Sequence, residues 1–377
     1  MADTLRPEEA RIDLTRLAAN FRAIEAFAGR PLMPVVKADA YGHGAARVAL
    51  FFESLGAPLL TVAFVEEAVP LRRAGVRAPI VVMAGAGPEE ARDVVEHGLT
   101  PVVASARSLA GALAAARESR SPLAVHVKVD TGMSRLGFAP QETVAAVRRL
   151  RDAGLQVEGL MTHLASADED KEASERQLDG FDSVLADLHR QDVQPQWVHV
   201  ANSAGLLHLR SSQTLVRPGL LLYGLKPRPL SPPILVRPVM TLVGRVEFVR
   251  DLPAGTPVSY GGRWVAPRPS RVATVSVGYA DGVPRTEAMS NGGELTIRGR
   301  RSPVRGTVCM DFTMVEITDR ADVAEGDEAV VFGDDPTAWE VADWAGTNAW
   351  QILTSVGLRV PRVYVDEGRI VGVESRY

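Results

Sequence analysis

The segment VVKADAYGHG, residues 35–44, runs out of a short apolar stretch and stops at an amine. Val35 and Val36 are β-branched and suit a buried strand. Lys37 ends that strand, and a Gly42-His43-Gly44 turn follows within a few residues. Seven further runs of the same kind follow downstream: LLTVAF (59–64), IVVMAG (80–85), TPVVAS (100–105), AVHVKVD (124–130), VEGLMTHLA (157–165), WVHVANS (197–203) and LVRPGLLLY (215–223). Each is too short for a typical helix and almost continuously apolar, as parallel strands buried on both faces are. Between them lie amphipathic segments with helix signals. PEEARDVVEHG has a proline and acids at its start and a glycine stop, and DEDKEASERQLDGFDSVLADLHRQD is acidic at its start with apolar residues at helical spacing. Eight strand–helix alternations in about 220 residues predict a (β/α)8 barrel. The rival, a doubly wound open sheet, would carry a GxGxxG turn, and none is present.

Beyond residue 235 the texture changes. Prolines cluster in KPRPLSPPILVRP (226–238), and strand-like runs with polar turns follow, among them TLVGRVEFVRDL, RVATVSVGYAD and DEAVVFGDD. DEGR (366–369) reads as a hairpin turn, and TAWEVADWAG as one short helix. The expected division is a barrel with an N-terminal helix over residues 1–235 and a mainly-β domain over residues 236–377.

Composition narrows the function classes. The chain has 377 residues, 46% hydrophobic and 23% charged, ordinary values for a soluble globular protein. A net charge of −4 without basic blocks argues against nucleic acid as a partner. The single cysteine, Cys309, forms no intramolecular disulfide and no cysteine-based zinc site. The seven histidines make no HExxH or HxH cluster, so no metal is expected. The charged N-terminus lacks a signal-peptide core, and no run is long enough for a membrane helix, so a cytoplasmic location is expected.

In a parallel barrel, catalytic groups sit at the C-terminal ends of the strands. Lys37 ends the first strand. Lys128 and Asp130 end the fifth, and Arg135 lies in the loop after it. His163 closes the sixth, Asn202 and Ser203 the seventh, and Arg217 opens a Pro-Gly turn in the eighth. Taken singly, each has an ordinary structural reading: a strand-end lysine is an exposed cap, and Ser203 a helix cap. That reading does not explain why all of them share one mouth.

VVKADAYGHG resembles the cofactor-lysine motif of the alanine racemases, barrel-plus-β-domain isomerases of bacterial cell-wall metabolism. The likeness continues through KVDTGMSRLGF (128–138), MTHLASADE (161–169), ANSAG (201–205), VRPGLLLYG (216–224), VSYGGRW (258–264), VSVGYADG (275–282), GTVCMD (306–311) and RVPRVYV (359–365). This ordered series covers nearly the whole chain.

The resemblance implies that Lys37 binds pyridoxal 5'-phosphate through its amine and then serves as an acid/base group on one face of the bound amino acid. It places Tyr260 on the opposite face, as removal and return of a Cα proton on two faces demands. It gives the phosphate to Tyr41, Ser203, Gly219 and Leu220, and sets His163 and Asn202 beside the cofactor. Arg217 would face the pyridine nitrogen, where a guanidinium cannot accept a proton. Arg135 and Met310 would contact substrate, with Asp168, Tyr279 and Arg285 at the entrance. Lys128 matches a position that is carbamylated in many members; an unmodified Lys128 paired with Asp130 is the alternative.

The implied assembly is a homodimer with composite sites, Tyr260 and the GTVCMD segment reaching the partner's Lys37. The implied activity is interconversion of L- and D-alanine for peptidoglycan; a related racemase acting on serine or on several amino acids is the alternative. Two positions depart from the family pattern. Leu358 stands where a phosphate-contacting tyrosine is common, and AWQILT (349–354) replaces YE-ILT, with Trp350 and Gln351 in place of the tyrosine and glutamate.

Overall fold

The structure is a computed structural model that describes residues 6–375. Six strands form a parallel sheet in chain order: Leu60–Val62, Ile80–Val82, Leu99–Val103, Ala124–Lys128, Gln156–Met161 and Trp197–His199. The ring closes through two further segments. Val36 N–H donates to Thr61 O at 2.9 Å, tying residues 32–36 to the first of the six, and Arg217 N–H donates to Ala201 O at 2.8 Å after the last. The seam itself is Met33 N–H to Val216 O at 2.8 Å and Val35 N–H to Pro218 O at 3.1 Å. Pro34 and Pro218 lie in these two segments and cannot donate, so the ladder there is broken into isolated bridges. The six strands and the two bridging segments fall in the eight runs expected.

The crossover helices form where the apolar spacing placed them. In Lys171–His189, Leu178, Phe181, Leu185 and Leu188 are buried at intervals of three and four, and Asp170 caps the start through Ala173 N–H.

The second half builds a largely antiparallel nine-stranded sheet. Its spine is the thirteen-residue strand Met240–Leu252, whose first half pairs with Glu328–Phe332 and whose second half pairs with Ser270–Val275. Glu367 and Gly368, at φ 47° and 76°, turn Arg362–Asp366 back into Arg369–Glu374, the hairpin expected at DEGR.

Two features differ from the sequence reading. Glu9–Asp13 is a central strand of the second sheet, antiparallel to Met240–Leu252 and parallel to Arg362–Asp366. Ala10 and Ile12 are its buried positions, while Glu9, Arg11 and Asp13 alternate outward, so charge masked a strand of only five residues. The second half also holds three helices rather than one: Glu287–Gly292, Ala338–Ala345 and Ala349–Thr354. The two additional ones are six residues long, too short for periodicity to reveal.

Candidate active site

Lys37 opens a turn of left-handed helix. Ala38, Asp39, Ala40 and Tyr41 have φ between 52° and 56°. An L-residue in this region costs roughly 1–2 kcal/mol, so a run of four needs support from outside. Glu67 Oε1 accepts from Ala38 N–H at 2.8 Å, and Asp39 Oδ1 accepts from Ala45 N–H at 3.0 Å. The second sheet reaches in as well. Arg362 Nε–H donates to Gly42 O at 3.0 Å, and the Tyr364 hydroxyl donates to His43 O at 3.2 Å. Burial pushes His43 down to about 3, so its neutral ring donates from Nδ1 toward the Ala40 and Tyr41 carbonyls.

The turn delivers the Tyr41 ring against Tyr223, with centroids 4.9 Å apart, and its hydroxyl against Gly219. A Cβ on Gly219 would lie 2.5 Å from that hydroxyl, which is why the position has no side chain. Burial raises Tyr41 to about 12, so it stays a neutral donor. Ser203 Oγ accepts from Gly219 N–H at 3.1 Å and from Leu221 N–H at 3.2 Å, leaving the hydroxyl hydrogen to point elsewhere. Two hydroxyls and a bare backbone thus converge on one spot, a cradle suited to phosphate oxygens.

Arg217 is 2% exposed. Its Nη1 donates to His199 Nδ1 at 2.9 Å and to the His199 carbonyl. Its Nη2 donates to Thr162 O at 2.8 Å and to Val200 O at 3.0 Å. Among the described residues the Nε–H meets no acceptor, so this donor is left for a ligand. Burial lowers Arg217 to about 9, still charged at neutral pH. His163 is driven to about 3 by burial and by Arg217, Lys128 and Arg135. Lys128 falls to about 8 through burial and its proximity to Arg217 and Arg135. The Lys37 amine is also lowered, by burial first and by Arg135 second, with Glu67 opposing.

A cavity of about 440 Å³ gathers Lys37, Tyr41, Arg135, His163, Asp168, Asn202, Ser203, Arg217, Gly219 and Leu220. Lys128 is buried beside it. Four residues expected at a site are elsewhere in this chain. Tyr260 and Met310 are 69% and 52% exposed on the second domain. Tyr279 and Arg285, with the guanidinium 5.7 Å from the ring centroid, line a separate cavity of about 290 Å³. The cavity wall also includes Met83, Pro227, Trp350 and Thr354. Only Trp350 was visible beforehand, as a departure from the family pattern; the others carry no chemical signal. His199 and His126, buried behind Arg217, lie within strand-like runs and carry no separate signal in the sequence.

No helix among the described residues is long and apolar enough to cross a membrane. The family profile "Alanine racemase, N-terminal domain" matches residues 12–227, and "Alanine racemase, C-terminal domain" matches residues 239–364. An alanine racemase of Halothermothrix orenii is 40% identical over 369 residues, covering 95% of this chain and 97% of that protein. The solved alanine racemase of Clostridium difficile 630 superposes with a TM-score of 0.92 at 31% identity, covering 99% of both chains. That of Bacillus anthracis, solved with bound L-Ala-P, gives 0.90 at 31% identity, again over 99% of each. Together with a lysine-to-arginine cavity at the mouth of a (β/α)8 barrel, these likenesses show that the chain belongs to the alanine racemase family.

Proposed function

We propose that this protein interconverts L- and D-alanine with pyridoxal 5'-phosphate attached at Lys37. The carrying observation is that Lys37, Arg217, Tyr41 and Ser203 line a single cavity, with the Arg217 Nε–H left without a protein acceptor among the described residues. Lys37, Lys128, Arg135 and Arg217 make that region strongly cationic, as a ligand bearing a phosphate and a carboxylate requires. The residues present therefore fit the cofactor. When bound, it supplies an electron sink that acidifies the substrate Cα–H.

The chain's own groups do the rest. Lys37, with its pKa lowered, takes or returns the Cα proton on one face. Arg217 would present its Nε–H to the ring nitrogen, and because a guanidinium cannot accept a proton it would keep that nitrogen unprotonated and the sink weak. This limits side reactions that need a stronger one. Arg135 orients the substrate carboxylate. Tyr260, Met310 and Phe312 are exposed apolar residues of the second domain, and we assign them to the neighbouring site of a homodimer, where Tyr260 serves the opposite face. The D-alanine formed would feed peptidoglycan assembly in the cytoplasm.

Purified protein should show an absorbance band at the visible edge that borohydride bleaches. Lys37→Ala should lose that reducible band and lower racemisation by at least ~10²–10⁴-fold, the contribution of one positioned acid/base group. A wild-type protein that takes up no cofactor, or a Lys37→Ala variant of full activity in a D-alanine assay, overturns the assignment.

A further inference from the structure

A line of buried polar groups runs from Arg217 away from the cavity, through the barrel interior. Arg217 Nη1 lies 2.9 Å from His199 Nδ1, and His199 Nε2 lies 2.8 Å from His126 Nδ1. His126 Nε2 faces Glu158 Oε2 at 3.6 Å. Both imidazoles are fully buried, whereas the Glu158 side chain is 21% exposed. Gly159, next to Glu158, clears the space: a Cβ there would stand 2.5 Å from the His126 ring.

Hydrogen-bond direction along this line follows from chemistry. A guanidinium has donors only, so His199 Nδ1 must accept. Both rings are neutral, since burial lowers His126 and His199 alike. A neutral His199 whose Nδ1 accepts carries its hydrogen on Nε2, and donates it to His126 Nδ1. His126 then carries its hydrogen on Nε2, directed at the carboxylate. His126 Nε2 is buried without a hydrogen-bond partner at normal distance, and an unmet buried donor destabilises the fold. Glu158 is the acceptor it faces.

We propose that Glu158 is a positioning residue for the reaction: through His126 and His199 it dictates which nitrogen of each ring is protonated, and so holds Arg217 with only its Nε–H turned to the cavity. The proposal rests on the functional reading above. Without the carboxylate, His126 is free to carry its hydrogen on Nδ1, which reverses the next link. A His199 with hydrogen on Nδ1 would confront Arg217 Nη1–H donor to donor and force the guanidinium aside. Loss of Glu158 is therefore felt at a ring nitrogen it never touches, as outer partners of metal-bound histidines act on their metal.

The test uses full-length protein carrying its cofactor, with histidine rings labelled in ¹⁵N, and compares wild type with Glu158→Gln. Wild-type His126 and His199 should both show an unprotonated Nδ1 and a protonated Nε2. In Glu158→Gln the His126 signals should move toward a mixture of tautomers. Its kcat should fall about tenfold with KM little changed. If the glutamine variant does not fold, as judged by circular dichroism, Glu158→Ala, which removes the acceptor altogether, is read in the same way. Wild-type rings protonated on Nδ1, or a folded variant with wild-type tautomers and wild-type kcat, overturn the proposal. The ring signals do not depend on cofactor uptake. A protein that binds no pyridoxal phosphate yet shows this tautomer pattern would sink the function, and with it the positioning role, while leaving the relay of hydrogens from Glu158 to Arg217 in place.

Discussion

Lys128 bears the clearest electrostatic cost in the site. Burial, Arg217 and Arg135 lower it from 10.5 to about 8, and Asp130, whose Oδ1 accepts from the Gly132, Met133 and Ser134 N–H groups, offsets this only partly. Between pH 8 and 10.5 the folded protein binds fewer protons here than the unfolded chain. Stability therefore rises across that window, and the full cost, on the order of 3 kcal/mol, applies below it. Lys128→Met should be more stable than wild type near pH 7 and should lack this rise, as urea titrations at pH 7 and 10 would show. A pKa of about 8 also leaves roughly a tenth of the amine neutral at pH 7 and able to add CO₂. The resulting carbamate would be an anion beside two arginines. Bicarbonate should then raise the melting temperature of wild type and leave Lys128→Met unmoved; equal responses would exclude the adduct.

At the scale of the element, the left-handed turn is the feature that aims Lys37 and Tyr41. In an ordinary helix, replacing Ala by Gly costs about 1 kcal/mol. At φ 52° the sign reverses, because the strain belongs to the Cβ that glycine lacks. Ala38→Gly should raise stability by about 1 kcal/mol in chemical denaturation; a loss would mean that the turn is not left-handed. Little of this was legible in ADAYGHG. Its glycines suggest a tight bend, but the strained residues are alanine, aspartate and tyrosine, whose types favour no left-handed run. Their conformation is imposed by Glu67, Arg362 and Tyr364, partners up to 321 residues away. The barrel strands and the DEGR hairpin were legible, since strand burial and turn chemistry are written in consecutive residues.

For the whole molecule, the two sheets are tied by the N-terminal strand and by Arg362 and Tyr364, so the second domain buttresses the Lys37 turn as well as carrying Tyr260. Within one chain Tyr260 stands apart from the cavity, and a shared site predicts complementation. Mixing Lys37→Ala with Tyr260→Phe protein under conditions that exchange subunits should restore part of the activity, because one of the two sites in a mixed dimer is intact. No recovery above the separate variants would refute composite sites. Tyr260→Phe alone should retain cofactor absorbance and impair the two directions of racemisation unequally, as measured with each enantiomer; equal and complete retention would remove its role.

The chain's order of residues was enough to establish the eight segments of a parallel barrel, a following β-rich half, and Lys37, Lys128, His163 and Arg217 at the ends of those segments. Those features rest on alternation, length and turn residues that lie side by side in the sequence. Folding in three dimensions settled the rest: the seam at Pro34 and Pro218, the handedness of the Lys37 turn, the fate of Arg217's donors and the histidine line behind it. Each depends on hydrogen bonds between residues far apart in the chain and on burial that removes competing water, and no local pattern encodes either.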